Sequence, residues 1–153
     1  MPSIYSSNHS KSDAYELAKN LGIKFETIPI NGAFNNILDS MDSFFKGTVP
    51  GLAEENLQAR LRGNILMSIS NKIDALVLNT GNKTELALGY CTMYGDMCGA
   101  LAVISDLNKL QVYKISKWIN EFNSKIIIPN NVISKKPSAE LKEDQYDPFD
   151  YDI

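Results

Sequence analysis

Between Glu54 and Ile73 an aliphatic residue recurs at every fourth position: Leu57, Leu61, Ile65, Ile69 and Ile73. An α-helix, at 3.6 residues per turn, lays such positions along one face, so the spacing predicts a long helix over 54–73. Glu54 and Glu55 fall in its first turn, where negative charge meets the positive end of the macrodipole. Gly63 in its middle costs about 1 kcal/mol relative to Ala, which points to close backbone contact with a neighbour.

The rest of the chain alternates around this helix. Ser12, Asp13 and Glu16 open a helical run whose Ala14, Leu17, Ala18 and Leu21 share a face, with Gly22 at its stop. Lys24 to Ile30 reads as a strand that Pro29 restricts to an end or edge. Asn31 to Phe45 reads as a second helix, and 47–51 as a connector. Ala75 to Leu78 is an apolar run of the kind found in buried parallel strands, ending in Asn79, Thr80 and Gly81. A helix over 83–90, a glycine-rich stretch through Gly95 and Gly99, an extended segment at 101–104 and a helix capped by Asn108 complete the body. This order favours an α/β layered fold with a parallel sheet over an all-α one.

From Lys135 onward the composition changes. Six acidic residues, three lysines and two prolines fall within nineteen positions, so the reading is a body at 1–134 and an acidic tail at 135–153, disordered or loosely draped unless a ligand orders it.

Composition narrows the function. Fifteen Lys and Arg against eighteen Asp and Glu, scattered rather than gathered in a stripe, argue against nucleic acid as a partner. No stretch is long and apolar enough for a bilayer, and the first residues lack a leader pattern, so the expected location is the cytoplasm. Cys91 and Cys98, with six residues between them, match no zinc or disulfide spacing and read as reduced packing thiols. The lone histidine, His9, reads as a loop residue, which leaves little from which to build a triad or a histidine metal site.

In open parallel sheets ligands collect at strand carboxyl ends and helix N-termini. The turn Asn79-Thr80-Gly81-Asn82-Lys83-Thr84-Glu85 is therefore a candidate phosphate site, although Gly and Asn in such a turn also serve turn geometry alone. Resemblance sharpens this. "EENLQARLRGNILMSISNK" from Glu54, "LVLNTGNKTELALGYCTMYGDMCGALAVISDLNK" from Leu76, "MPSIYSSNHSKSDAYELAKNLGI" at the start and "SKKPSAELKEDQYDPFDYD" near the end together resemble the synthetase domain of glutamine-dependent NAD synthetases.

That resemblance implies the ATP pyrophosphatase superfamily: a Rossmann-like three-layer α/β sandwich with a parallel sheet, adenine-nucleotide α-hydrolase-like and here incomplete, in a homodimeric core. It also implies a reaction in which ATP adenylates deamido-NAD and ammonia displaces AMP, with ATP and Mg²⁺ required. Asn56 and Arg60, one helical turn apart, would contact deamido-NAD; in the alternative they form a solvated helix end with a weak surface pair. Thr80 and Lys109 would contact ATP. Glu85 would bind Mg²⁺ beside deamido-NAD, or merely favour a helix N-terminus. Tyr90 would flank the nicotinate ring, or pack in the core. Ser138 would reach the nucleotide phosphates, or belong to a disordered tail. Asp96, in "YGDM", has no assignable role beyond a turn.

The family's "SGGxDS" pyrophosphate loop and its ammonia-supplying glutaminase domain are not found in these residues, and Ile4 stands where many relatives carry Arg. The expectation is a polypeptide inactive on its own. Two alternatives remain: a non-catalytic dimerisation module built on the 54–73 helix, and a different amidating ATP pyrophosphatase.

Overall fold

A computed structural model of the chain describes residues 1–149 and 151. Helix α1 (Asn8–Leu21) is capped by Ser7, whose Oγ accepts the Ser10 N–H at 3.1 Å, and it stops at Gly22 with φ +66°. It begins four residues before the expected Ser12, whose hydroxyl donates instead to the His9 carbonyl inside the first turn. His9 is thus a helical residue, not a loop residue.

The strand expected over 24–30 does not form. A strand exists by pairing, and here the Ile30 N–H reaches the Pro2 carbonyl at 3.0 Å while Pro29 has no N–H to give. The single helix expected over 31–45 is two, α2 (Asn31–Ser40) and α3 (Asp42–Phe45). They break at Met41, whose N–H is shared between the Ile37 and Leu38 carbonyls.

Helix α4 (Leu52–Ile73) is the long helix read from the sequence, started by the Glu54 carboxylate accepting the Gly51 N–H at 2.7 Å. Its most buried positions are Gln58, Ala59 and Gly63 rather than the aliphatic stripe, whose Ile69 and Ile73 remain exposed. The covered face is the narrow one because a loop backbone lies against it. A Cβ on Gly63 would sit 2.8 Å from the Gly95 carbonyl oxygen and 2.9 Å from the Cys98 sulfur.

Strand β1 (Leu78–Asn79) pairs in parallel with β2 (Leu101–Ala102), Leu78 opposite Leu101, and these form a two-stranded sheet among the described residues. The expected run at 75–78 pairs only at its end, because the Ala75 N–H and carbonyl are held by Ser70 at the close of α4. Leu78 and Leu101 are each 55% exposed, so the strand expected to be buried is open within these residues. The parallel α/β arrangement itself is observed.

Helix α5 (Lys83–Leu88) ends at Gly89 with φ +68°, short of Tyr90. Helix α6 (Lys109–Phe122) is capped by Asn108 as expected. Helix α7 (Asn130–Ser134) follows a turn that Asn120 laces with three hydrogen bonds to 127 and 128. Beyond α7 the chain lies along α1 and α4, where the Gln58 amide donates to the Leu141 carbonyl at 2.8 Å and Lys142 pairs with Glu55 at 3.0 Å. The last part of the acidic tail, at 150, 152 and 153, lies outside the described residues. No helix among the described residues is long and apolar enough to cross a membrane.

Candidate functional site

The tip of β1 is built by Asn79. Its buried side chain donates to the Asp96 and Cys98 carbonyls at 2.7 and 3.2 Å and accepts the Gly81 N–H at 2.8 Å. One amide thus fixes the loop after β1 to the loop before β2. Gly99 makes this approach possible: at φ +144°, a Cβ there would lie 2.8 Å from the Asn79 nitrogen.

Directly beyond the tip, α5 starts with a reciprocal box. Asn82 Oδ1 accepts the Glu85 N–H and Glu85 Oε2 accepts the Asn82 N–H, both at 3.1 Å. The start of α6 is tied alongside, with the Lys83 N–H on the Leu107 carbonyl at 2.8 Å and the Lys109 N–H on Thr84 Oγ1 at 3.1 Å. Two helix N-termini therefore stand side by side at the strand end, a favourable setting for an anion. Between them Lys109 Nζ lies 3.1 Å from Glu85 Oε1, with both side chains about four-fifths shielded. The same ammonium lies 5.9 Å from the Tyr113 ring centre and 5.4 Å from that of Tyr151.

These groups face a cavity of about 810 Å³ whose walls include Thr80, Glu85, Tyr90, Lys109 and Ser138. Its size suits a nucleotide-scale ligand. Tyr90 packs edge-on against Phe149 at 5.2 Å, and burial, with Asp147 beside it, pushes its hydroxyl up to about 12. Ser138 Oγ accepts the Glu140 N–H at 3.1 Å, which leaves its own proton free to donate.

Asn56 and Arg60 are not among the cavity walls. Asn56 Oδ1 accepts the Thr92 hydroxyl at 2.8 Å, and the exposed Arg60 donates through Nε to the Met93 carbonyl at 3.3 Å. Both grip the 92–96 loop, whose other side forms the cavity wall at Gly95 and Asp96. Asp96 holds that loop in shape. Its carboxylate accepts the Thr92 N–H at 2.7 Å, and burial raises its pKa against that bond.

Arg62, unlike its neighbour Arg60, does line the cavity; it donates through Nε to the Met1 carbonyl at 2.9 Å. Burial also raises the Cys91 thiol, in keeping with an inert packing role. Among the described residues there is no group of three or more His, Cys, Asp or Glu side chains able to hold a metal unaided. A lone carboxylate such as Glu85, next to cations that attract phosphate, fits Mg²⁺ that takes most of its oxygens from a nucleotide and water.

Asn82 was readable from the sequence, because N-x-x-E before a helical run is a capping box. Arg62 and Glu140 carried no such signal, since they reach Met1 and Ser7 and Ser10; Asn79 stood in the candidate turn, but its hold on the Asp96 and Cys98 carbonyls was not readable.

A family model described as NAD synthase matches residues 1–153. The chain is 52% identical over 147 residues to a protein of Thermotoga maritima named glutamine-dependent NAD(+) synthetase, covering 96% of this chain and 26% of that one. A solved glutamine-dependent NAD+ synthetase of Acinetobacter baumannii, in complex with adenosine diphosphate, superposes with a TM-score of 0.86 at 42% identity, over 92% of this chain and 27% of that one. The NMN synthetase of Francisella tularensis superposes at 0.85 and 32% identity, over 95% and 57%. The chain thus spans about a quarter of the length of the curated relatives it matches.

Proposed function

The chain belongs to the NAD synthase family, and from that premise we propose that it forms part of an ATP-dependent carbon–nitrogen ligase that amidates deamido-NAD to NAD. The nicotinate carboxylate attacks the α-phosphorus of ATP and pyrophosphate leaves. Ammonia, released from glutamine by a glutaminase domain outside these residues, then attacks the acyl carbon and AMP departs. Adenylation is needed because a free carboxylate is a poor acyl donor toward ammonia.

In this reading Lys109, Thr80 and Ser138 hold the ATP phosphates and Tyr90 flanks the nicotinate ring. Asn56 and Arg60 meet deamido-NAD at the outer side of the 92–96 loop. Glu85 would hold Mg²⁺, which neutralises charge on the transferring phosphate oxygens. Through Ser138, the tail from 135 would be ordered further by a bound nucleotide. The whole domain is a three-layer sandwich in a cytoplasmic homodimer, and residues 1–153 alone do not turn over, because the pyrophosphate loop is not among them.

The observation that carries this reading is the Glu85–Lys109 pair between two helix N-termini at the β1 tip. Calorimetric titration of the polypeptide with ATP and with deamido-NAD tests it. Lys109→Ala should weaken ATP by roughly 10- to 100-fold, the loss of a charge-assisted hydrogen bond of about 1.5–3 kcal/mol. A polypeptide that dimerises yet binds neither nucleotide would instead be an interaction module. The Francisella neighbour is an NMN synthetase, which favours a second reading in which this chain's parent forms a mononucleotide amide; tighter binding of the mononucleotide carboxylate than of deamido-NAD would support it.

A further inference from the structure

One carboxylate ties the segment after α7 to the beginning of α1. Glu140 Oε2 accepts the Ser7 N–H at 3.1 Å, and Oε1 accepts the hydroxyls of Ser7 and Ser10 at 2.8 and 2.7 Å and the Lys135 ammonium at 2.5 Å. Its own backbone sits at φ +50°, a left-handed conformation that a side-chain-bearing residue holds only where its surroundings over-determine it. The N–H of this strained residue is the one donated to Ser138 Oγ. Ser10, Lys135 and Ser138 all stand in the cavity wall, so the clasp is part of the site's frame.

We propose that Glu140 is a positioning residue: by clasping Ser7, Ser10 and Lys135 it holds the left-handed turn that aims the Ser138 hydroxyl into the cavity, toward a nucleotide phosphate. This rests on the reading of Ser138 as a phosphate donor. The chemistry is consistent, because a hydroxyl oxygen already accepting the Glu140 N–H has its proton left to give to an anion. A surface ion pair would not need two hydroxyls and an amide on the same carboxylate, nor a strained backbone beneath it.

Two measurements on the same variants separate the clasp from the phosphate role. Amide exchange over 138–147 should quicken about 10-fold or more in Glu140→Gln and in Ser7→Ala/Ser10→Ala, as expected for loss of charge-assisted bonds, and Ser7→Thr/Ser10→Thr should restore it. ATP affinity should fall about 10-fold in Glu140→Gln but fall no further when Glu140→Gln is added to Ser138→Ala, because the two act through one hydroxyl. A merely structural Glu140 would give additive losses, and that result overturns the proposal. Unchanged exchange in Glu140→Gln overturns the clasp itself. Quickened exchange with no ATP binding by the unmodified chain overturns the phosphate reading while leaving the clasp measured.

Discussion

Glu85 has both carboxylate oxygens engaged, one on the Asn82 N–H and one on the Lys109 ammonium. On the function proposed above, a nucleotide phosphate would compete with Glu85 for Lys109, and the carboxylate oxygen so released would be the one available to hold Mg²⁺. Glu85→Gln keeps an acceptor for the Asn82 cap but removes the charge. ATP affinity should fall about 10-fold in the presence of Mg²⁺ and equal or exceed that of the unmodified chain in its absence, because Lys109 is then released to the phosphates. Equal losses in calorimetry with and without the metal would end the metal role. At Glu140 burial works to raise the carboxyl, but hydrogen bonds from Lys135, Ser10 and Ser7 outweigh it and pull it from 4.5 to about 2. A depressed carboxyl contributes stability that is present above its unfolded value and lost as pH falls through its folded one. Anchoring of the segment at 135–141 should thus persist above about 4.5 and vanish toward about 2. Lys135 faces the group directly and Arg62 lies within electrostatic reach. Carboxyl titration followed by NMR would check it, and a midpoint at or above 4.5 would contradict the clasp geometry.

At the scale of elements, the glycines of two helices should respond in opposite directions. A Cβ on Gly63 of α4 would meet the Gly95 and Tyr94 carbonyls and the Cys98 sulfur at 2.8–3.0 Å, whereas one on Gly32 of α2 meets nothing within 4 Å. Gly32→Ala should gain up to about 1 kcal/mol of helix propensity. Gly63→Ala gains the same but overpacks against backbone that cannot yield, at about 1–3 kcal/mol, so it should destabilise on balance. Urea midpoints would show it, and a stabilised Gly63→Ala would mean that the loop is not seated as described. Such contrasts also explain what sequence reading reaches. Helices α4, α5 and α6 were legible because their signals are local: the four-residue aliphatic spacing of α4, the strand-to-helix turn ahead of α5 and Asn108 before α6. The strand expected over 24–30 was not, because its residues prefer extension but pairing is decided elsewhere in the chain. The start of α1 was misplaced because Ser7 and Ser12 offer similar local signals, and the capping geometry decides between them. In the site, Thr80, Glu85 and Lys109 sit at element ends that local rules locate. The Glu140 clasp joins positions 133 and 130 residues apart, a distance no local pattern spans.

The whole molecule leaves much of its apolar surface uncovered. It exposes 10590 Å², where a compact monomer of 17.0 kDa exposes about 7,700 Å². The excess, about 2,900 Å² on one chain, is at or above the roughly 1,000–2,500 Å² that each partner contributes to an obligate interface. Part of it lies at the sheet, where Leu76 is 75% exposed, Leu78 and Leu101 55% each and Val103 51%; the rest is spread over other segments, Val49 at 87% and Phe44 at 81% among them. A parallel sheet is normally covered on both faces, and two strands alone are marginal in water. The site depends on that same sheet, because β1 aims Asn79 and Thr80 and sets the two helix N-termini beside each other. Cover for the sheet and order in the site are therefore coupled. As an isolated polypeptide, residues 1–153 should exchange the amides of β1 and β2 rapidly, bind a hydrophobic dye and self-associate as concentration rises. The same segment within a polypeptide of the relatives' full length should exchange those amides at least about 100-fold more slowly and leave the dye unbound. Comparable slow exchange in both would show that the two-stranded sheet is stable uncovered, and the argument from exposed area would fail.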